Sequence, residues 1–201
     1  MTPDVQAAQQ WLAQGRIFRK QGQNKKAIEA FKKAFDADPG LVEALNEMGI
    51  AHVHVGEQTE AIEAFDRAIK VRPADPTAHV NKAEAYLTLG AFDDALRSAE
   101  AGLRIAPQNG MLFVKRARAL ECLGRIQEAV DSYNEALKYE SENPETWKSL
   151  ALCLDAQEKW DEVARAYMIA ANLHKKRGEM QDAESCLKFA NMAKDSSAGM
   201  A

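Results

Sequence analysis

The sequence predicts an all-α repeat array, and three periodic observations predict it. Four glycines, Gly22, Gly56, Gly90 and Gly124, stand 34 residues apart. The same interval separates Ala27, Ala61, Ala95 and Ala129, and it separates Pro39, Pro73 and Pro107. A fixed period of this length marks one helix-turn-helix unit copied along the chain, each copy burying its apolar face by stacking on its neighbours. The units fall at 8–41, 42–75, 76–109, 110–143 and 144–177.

Each unit holds two helices. In the first, Trp11, Gly15, Phe18, Gly22, Ala27, Phe31, Ala34 and Pro39 set bulky residues beside small ones at helical spacings. Small residues let two helix backbones approach, and the aromatics fill the space between them, with Trp11, Gly15 and Phe18 pointing at the partner helix. The second unit repeats the string as Leu45, Gly49, His52, Gly56, Ala61, Phe65, Ala68 and Pro73. The third reads His79, Ala83, Tyr86, Gly90, Ala95, Ala99, Gly102 and Pro107, and the fourth Phe113, Ala117, Leu120, Gly124, Ala129, Tyr133 and Ala136. Glycine after a first helix accommodates the left-handed residue that ends it, and proline after a second helix lacks the donor needed to continue.

The pattern then fades. Ser141 stands where a fourth proline is due, Pro144 comes three residues later, and the fifth unit has Glu158 for glycine and Val163 for alanine. Trp147, Ala151, Tyr167 and Ala170 still mark it as a unit. Residues 164–197 also fit in a shifted frame, through Tyr167, Ala171, Gly178, Ala183, Leu187 and Ala190. One helix at about 161–176 therefore serves as the second helix of unit five and as the floor for a capping helix at 179–194. Its predicted inner face is Ala183, Leu187, Ala190 and Lys194, and 195–201 reads as a flexible tail.

These strings resemble the tetratricopeptide repeat, with its Trp, Gly, Tyr, Ala, Phe and Pro positions. The resemblance implies a right-handed superhelical α-solenoid of about five repeats plus the capping helix, forming a single array over 1–194. It implies a non-enzymatic adaptor or scaffold that holds a peptide or helix of a partner protein in a concave groove lined by first helices. Transferred to this sequence, the groove takes Leu12, Arg16 and Arg19 from unit one and Asn46, Ile50, Val53 and His54 from unit two. Units three to five add Val80, Asn81, Glu84, Leu87, Met111, Val114, Lys115, Arg118, Lys148 and Leu152. The apolar members form either a slot for apolar side chains or a stripe covered by adjacent first helices.

Some relatives grip the carboxylate of a chaperone's C-terminal tail with lysines, asparagines and an arginine. That set maps onto Leu12, Arg16, Glu47, Thr77 and Asn81, or onto Asn46, Ile50, Asn81, Met111 and Lys115. Both clamps are incomplete, and a glutamate in the first repels an anionic terminus, which argues against that partner. Charge is uneven along the array: Arg16, Arg19, Lys20, Lys25, Lys26, Lys32 and Lys33 make unit one basic, while Glu43, Glu47, Glu57, Glu60, Glu63 and Asp66 make unit two acidic. The contrast is either ion pairing inside the array or a polarity code for a partner.

Composition excludes several classes. The chain has 201 residues, 46% hydrophobic and 28% charged, as a folded domain does, and should need no cofactor. A net charge of -4 offers no general attraction to nucleic acid or anionic lipid, so an RNA-associated helical repeat ranks last among the alternatives. Cys122, Cys153 and Cys186 form no close pair and no metal-ligand spacing. Scattered thiols and the lack of an export signal or apolar span point to the cytoplasm. His52 and His54 lie two apart on a helix and point away from each other, so they make poor joint ligands. No nucleotide or zinc-protease motif appears, which argues against an enzyme and against a bound metal. The other alternative is a self-assembling scaffold built through its terminal helices. Phe189 and Met192, outside the inner face of the cap, are then the self-association contacts of a chain otherwise expected as a monomer or weak homo-oligomer.

Overall fold

A computed structural model of the protein describes residues 4–199. Among them lie eleven helices and no strand. They are α1 (Val5–Lys20), α2 (Asn24–Ala37), α3 (Val42–His54), α4 (Gln58–Val71), α5 (Thr77–Leu89), α6 (Phe92–Ile105), α7 (Gly110–Cys122), α8 (Ile126–Tyr139), α9 (Pro144–Asp155), α10 (Trp160–Lys176) and α11 (Met180–Gly199). The helices gather into two compact units, Met1–Pro107 and Gln108–Ala201.

The first unit is three hairpins, α1 with α2, α3 with α4 and α5 with α6, with α2 packed on α3 and α4 on α5. Why the first helices carry glycine is visible at Gly15 and Gly49. A Cβ on either would lie 2.5 Å from Cε1 of Phe31 or Phe65, so the aromatic ring occupies the volume that a methyl group would need. The third hairpin has Ala83 and Ala99 at the matching places, both buried, small facing small. Trp11 departs from its predicted inward position. It is 37% exposed, with Lys33 Nζ 4.4 Å from its ring centroid, because among the described residues no second helix precedes α1 to cover it.

The predicted left-handed turns are present, at Gly22 (φ 73°), Gly56 (83°), Gly90 (78°) and Gly124 (72°). The hydrogen bonds show why: Gln23 N–H reaches back to the Phe18 carbonyl (2.9 Å) and Gly22 N–H to that of Arg19 (3.0 Å), closing the first helix with two of its orphan acceptors.

The second unit holds α7 with α8, then α9, α10 and α11 in succession. The displaced Pro144 is the first residue of α9, where its missing N–H costs nothing, and Asn143 Oδ1 caps that helix by accepting from Glu145 N (3.0 Å). Trp147 Nε1 donates to the carbonyl of Ser141 (2.8 Å), the residue in the vacated proline position. Glu158 keeps the turn of the missing glycine, at φ 57°, the one positive φ outside glycine among the described residues.

Helix α10 packs on both α9 and α11, as the two overlapping frames require. Two details of the cap differ from expectation. Its inner face is Ala183, Cys186, Ala190 and Ala193, while Leu187 is 45% exposed and Lys194 lies outside. Four small side chains let α11 lie close against α10, and a leucine in that row would hold the helices apart. The helix also continues through Gly199, so 195–199 of the predicted tail is helical, held by Ser197 Oγ donating to Asp161 Oδ1 (2.9 Å). Met200 and Ala201 lie outside the described residues.

Candidate functional site

In the first unit the candidate groove residues sit on α1, α3 and α5. Arg16 Nε donates to Glu47 Oε1 (2.9 Å), and Arg19 Nε stands 3.1 Å from Glu47 Oε2, close enough for ionic attraction but not aligned as a hydrogen bond. Further pairs join Arg72 to Glu43 (3.0 Å) and Lys82 to Asp66 (2.6 Å). Of the basic run of unit one, Arg16 and Arg19 thus meet Glu47 of the acidic run in the neighbouring repeat.

Four of the predicted groove residues are largely covered, although Leu12 still borders a surface recess with Gln9, Ala13 and Arg16. Leu12, Asn46, Val80 and Leu87 are buried. Leu12 belongs to a cluster with Val42 and Leu45, so the next first helix covers it, as one of the two sequence readings allowed. The carboxamide oxygen of Asn46 is enclosed without a hydrogen-bond partner among the described residues. Ile50 and Val53 are half-buried against Phe65 and Ala85, Asn81 and Glu84 are half-exposed, and His54 is exposed.

In the second unit the candidates lie on α7 and α9. Val114, Lys115 and Arg118 are half-buried, and Lys148 Nζ pairs with Glu145 (3.1 Å). Met111 and Leu152 are 49% and 55% exposed. Leu152 opens onto a cleft of about 250 Å³ lined by Asp155, Trp160, Val163, Tyr167, Phe189, Met192, Ala193 and Ser196. Val163 and Tyr167 of α10 are buried, and Phe189 stacks on Tyr167 with centroids 5.3 Å apart. Leu152, read from the sequence as a groove residue, and Phe189 and Met192, read as self-association contacts, therefore border one recess. The sequence argument missed Trp160, Val163 and Tyr167 as its lining because it assigned α10 wholly to helix packing. The signal was the double claim of two frames on that helix.

The titratable side chains Tyr133, Cys153, His174 and Cys186 of this unit are buried. Burial, aided by the nearby Glu121 carboxylate, pushes the Cys153 thiol up to about 12, and burial also raises Cys186. Tyr133 Oη donates to Glu121 Oε2 (2.8 Å), and burial together with that carboxylate holds the phenol well above its usual range. His174 is buried, and its Nδ1 lies 2.6 Å from Glu179 Oε2. With Asp182 these form the one trio of metal-ligand type among the described residues, its ligand atoms within 4.8 Å of one another. The same contact recurs at His52 Nδ1 and Glu57 Oε2 (2.7 Å), again with the histidine five residues before the glutamate across a glycine turn. Its recurrence identifies it as a device that closes the turn.

The deciding comparison is with family models. The tetratricopeptide repeat model matches residues 12–76, 46–110 and 114–168. The chain belongs to the tetratricopeptide repeat family. Solved structures of tetratricopeptide repeat form lie close in fold. TTC0263, a thermophilic TPR protein of Thermus thermophilus, is 23% identical at a TM-score of 0.73 over 90% of this chain and 99% of its own. MamA is 18% identical at 0.69, over 86% and 94%, and PilF of Pseudomonas aeruginosa is 14% identical at 0.71, over 90% and 89%. No curated protein sequence matches. At these identities the likeness is one of fold. Among the described residues no helix is long and apolar enough to cross a membrane.

Proposed function

We propose that this tetratricopeptide repeat protein is a non-enzymatic adaptor that holds an apolar segment of a partner protein, and that the recess bordered by α9, α10 and α11 is its principal contact. One observation carries the reading: Leu152, Phe189 and Met192 are each about half exposed around a cleft whose floor is the buried pair Val163 and Tyr167. Apolar side chains gathered at a concave surface favour burial of a partner's apolar groups, worth roughly 25 cal/mol for each Å² removed from water. Met111, a first-helix residue of the same unit that remains accessible, is a further apolar group available to a longer partner.

The test is capture from the protein's own cell by the double variant Leu152→Glu, Phe189→Glu. Both side chains are exposed, so helical content should stay unchanged. Loss of the proteins captured by the unaltered chain supports the reading, and an unchanged set places binding elsewhere.

A further inference from the structure

Helix α1, the first of the described helices, has an uncovered stacking face. In α3, Ala44, Leu45, Met48 and Ala51 are buried, and α2 packs on that helix. One period earlier stand Gln10, Trp11, Gln14 and Ile17 of α1, all exposed. Two of the four are polar, but the aromatic residues are not replaced. Gln10, Trp11, Gln14 and Phe18 enclose a recess of about 370 Å³. Its aromatic rings carry cations: Lys33 Nζ lies 4.4 Å from the Trp11 centroid and Lys26 Nζ 5.8 Å from that of Phe18. The face is therefore apolar, aromatic and positively charged.

The cleft of the second unit has the complementary character. It is apolar and aromatic, with Asp155 in its lining. The last residue of α9, the connection that follows and the first turn of α10 carry Asp155, Glu158, Asp161 and Glu162 against a single Lys159. An aromatic surface flanked by lysines and an aromatic cleft flanked by carboxylates attract at a distance and exclude water on contact.

We propose that the partner segment held in the cleft is α1 of a second copy of this chain, with Trp11 and Phe18 against Leu152 and Phe189, and Lys26 and Lys33 facing the acidic run. The inference rests on the adaptor reading and names its occupant. The contact joins two different surfaces, so one copy bound to another still presents a free face and a free cleft. Such a heterologous contact adds further copies until a ring closes, or propagates as a filament.

The test uses the full chain and light scattering over a dilution series. The unaltered protein should rise in mass with concentration past the dimer. Trp11→Glu, which disables the face, and Phe189→Glu, which disables the cleft, should each remain monomeric over the same range. Mixed in equal amounts, the two variants should double in mass and stop there, because each supplies the one surface the other lacks. The charge exchange gives a second, milder arm: Lys33→Glu and Asp155→Lys should each weaken association, and both changes in one chain should restore it through the exchanged pair. A strictly monomeric unaltered chain overturns the proposal, and so does a single variant that still dimerises or a mixture that stays monomeric. The adaptor reading is judged separately. Should self-association fail while Phe189→Glu still strips other captured proteins, only the identity of the occupant falls; should that variant change neither, both fall.

Discussion

Replacing Glu158 by glycine should stabilise the protein. Glu158 sits at φ 57° in the turn between α9 and α10, and its backbone makes the same closure as the glycine turns. Its N–H donates to the Asp155 carbonyl (2.9 Å) and Lys159 N–H to that of Leu154 (3.2 Å), as Gly124 does to Glu121 (3.0 Å) and Arg125 to Leu120 (2.9 Å). An L-residue held in this region costs roughly 1–2 kcal/mol, because Cβ crowds the following carbonyl. Glycine relieves that cost but gives up roughly 0.5–1 kcal/mol through its freer unfolded chain. The difference is a gain of about 0.5–1 kcal/mol, or a Tm rise on the order of 2 °C for a chain of this size. Asparagine, which tolerates the conformation better than glutamate, should fall between the two. The reverse change, Gly124→Glu at φ 72°, should lose a comparable amount, since a Cβ there meets nothing within 4 Å and the cost is purely conformational. Urea unfolding followed by far-ultraviolet dichroism measures all three. A neutral or destabilising Glu158→Gly would refute the argument, showing that the glutamate side chain contributes more than the backbone strain it imposes.

Gly49→Ala should destabilise by about 1–3 kcal/mol, the usual cost of overpacking. Combining it with Phe65→Leu should recover part of the loss in a double-mutant cycle, and strict additivity would deny the contact. Burial, then the nearby Lys82 and Arg104, hold the His79 imidazole below its usual range, against the opposing pull of Asp66. The unfolded chain then binds more protons than the folded one below about pH 6.5, so stability should fall as pH drops from there. His79→Gln should flatten that slope in urea midpoints taken between neutral and mildly acid pH, and equal slopes would remove His79 as the cause. Of the three thiols, exposed Cys122 should react rapidly with a disulfide reagent at mildly alkaline pH, while buried Cys153 and Cys186 react only on unfolding; three equal rates would contradict the packing.

The repeating half of the fold was legible because each unit states the same rule with the same residues. Gly15 pairs with Phe31 and Gly49 with Phe65 at fixed spacing, and the turn glycines fix where each first helix stops. The sequence was least informative where the rule ends. Trp11 looked like a core residue because its counterpart Leu45 is one, and only the lack of a preceding helix among the described residues, a fact about neighbours rather than about the residue, leaves it exposed. The cap misled for a related reason. Leu187 and Cys186 are adjacent on the helix, and hydrophobicity favours the leucine for the inner face, whereas the closeness of α10 and α11 selects the smaller side chain. Leu12, Asn46, Val80 and Leu87 carried groove positions by analogy, yet burial at those places depends on how tightly successive first helices approach. The cleft of the second unit combines residues from three helices, and no single spacing announces it.

Helix α10 satisfies two periods at once, as the second half of 144–177 and the first half of 164–197. Its ambiguity makes part of the chain removable in principle. Excising residues 144–163 would set Tyr167, Ala171, Gly178 and Ala183 in phase with Phe113, Ala117, Gly124 and Ala129, leaving five hairpins in unbroken rhythm. What stands in the protein is that regular sequence of hairpins with one helix interpolated, and the interpolated helix, α9, contributes Leu152 and Asp155 to the cleft. The irregularity and the recess thus have a common origin in a shift of register by one helix, a route by which a repeat array can acquire a local binding surface while every hairpin keeps its ordinary packing.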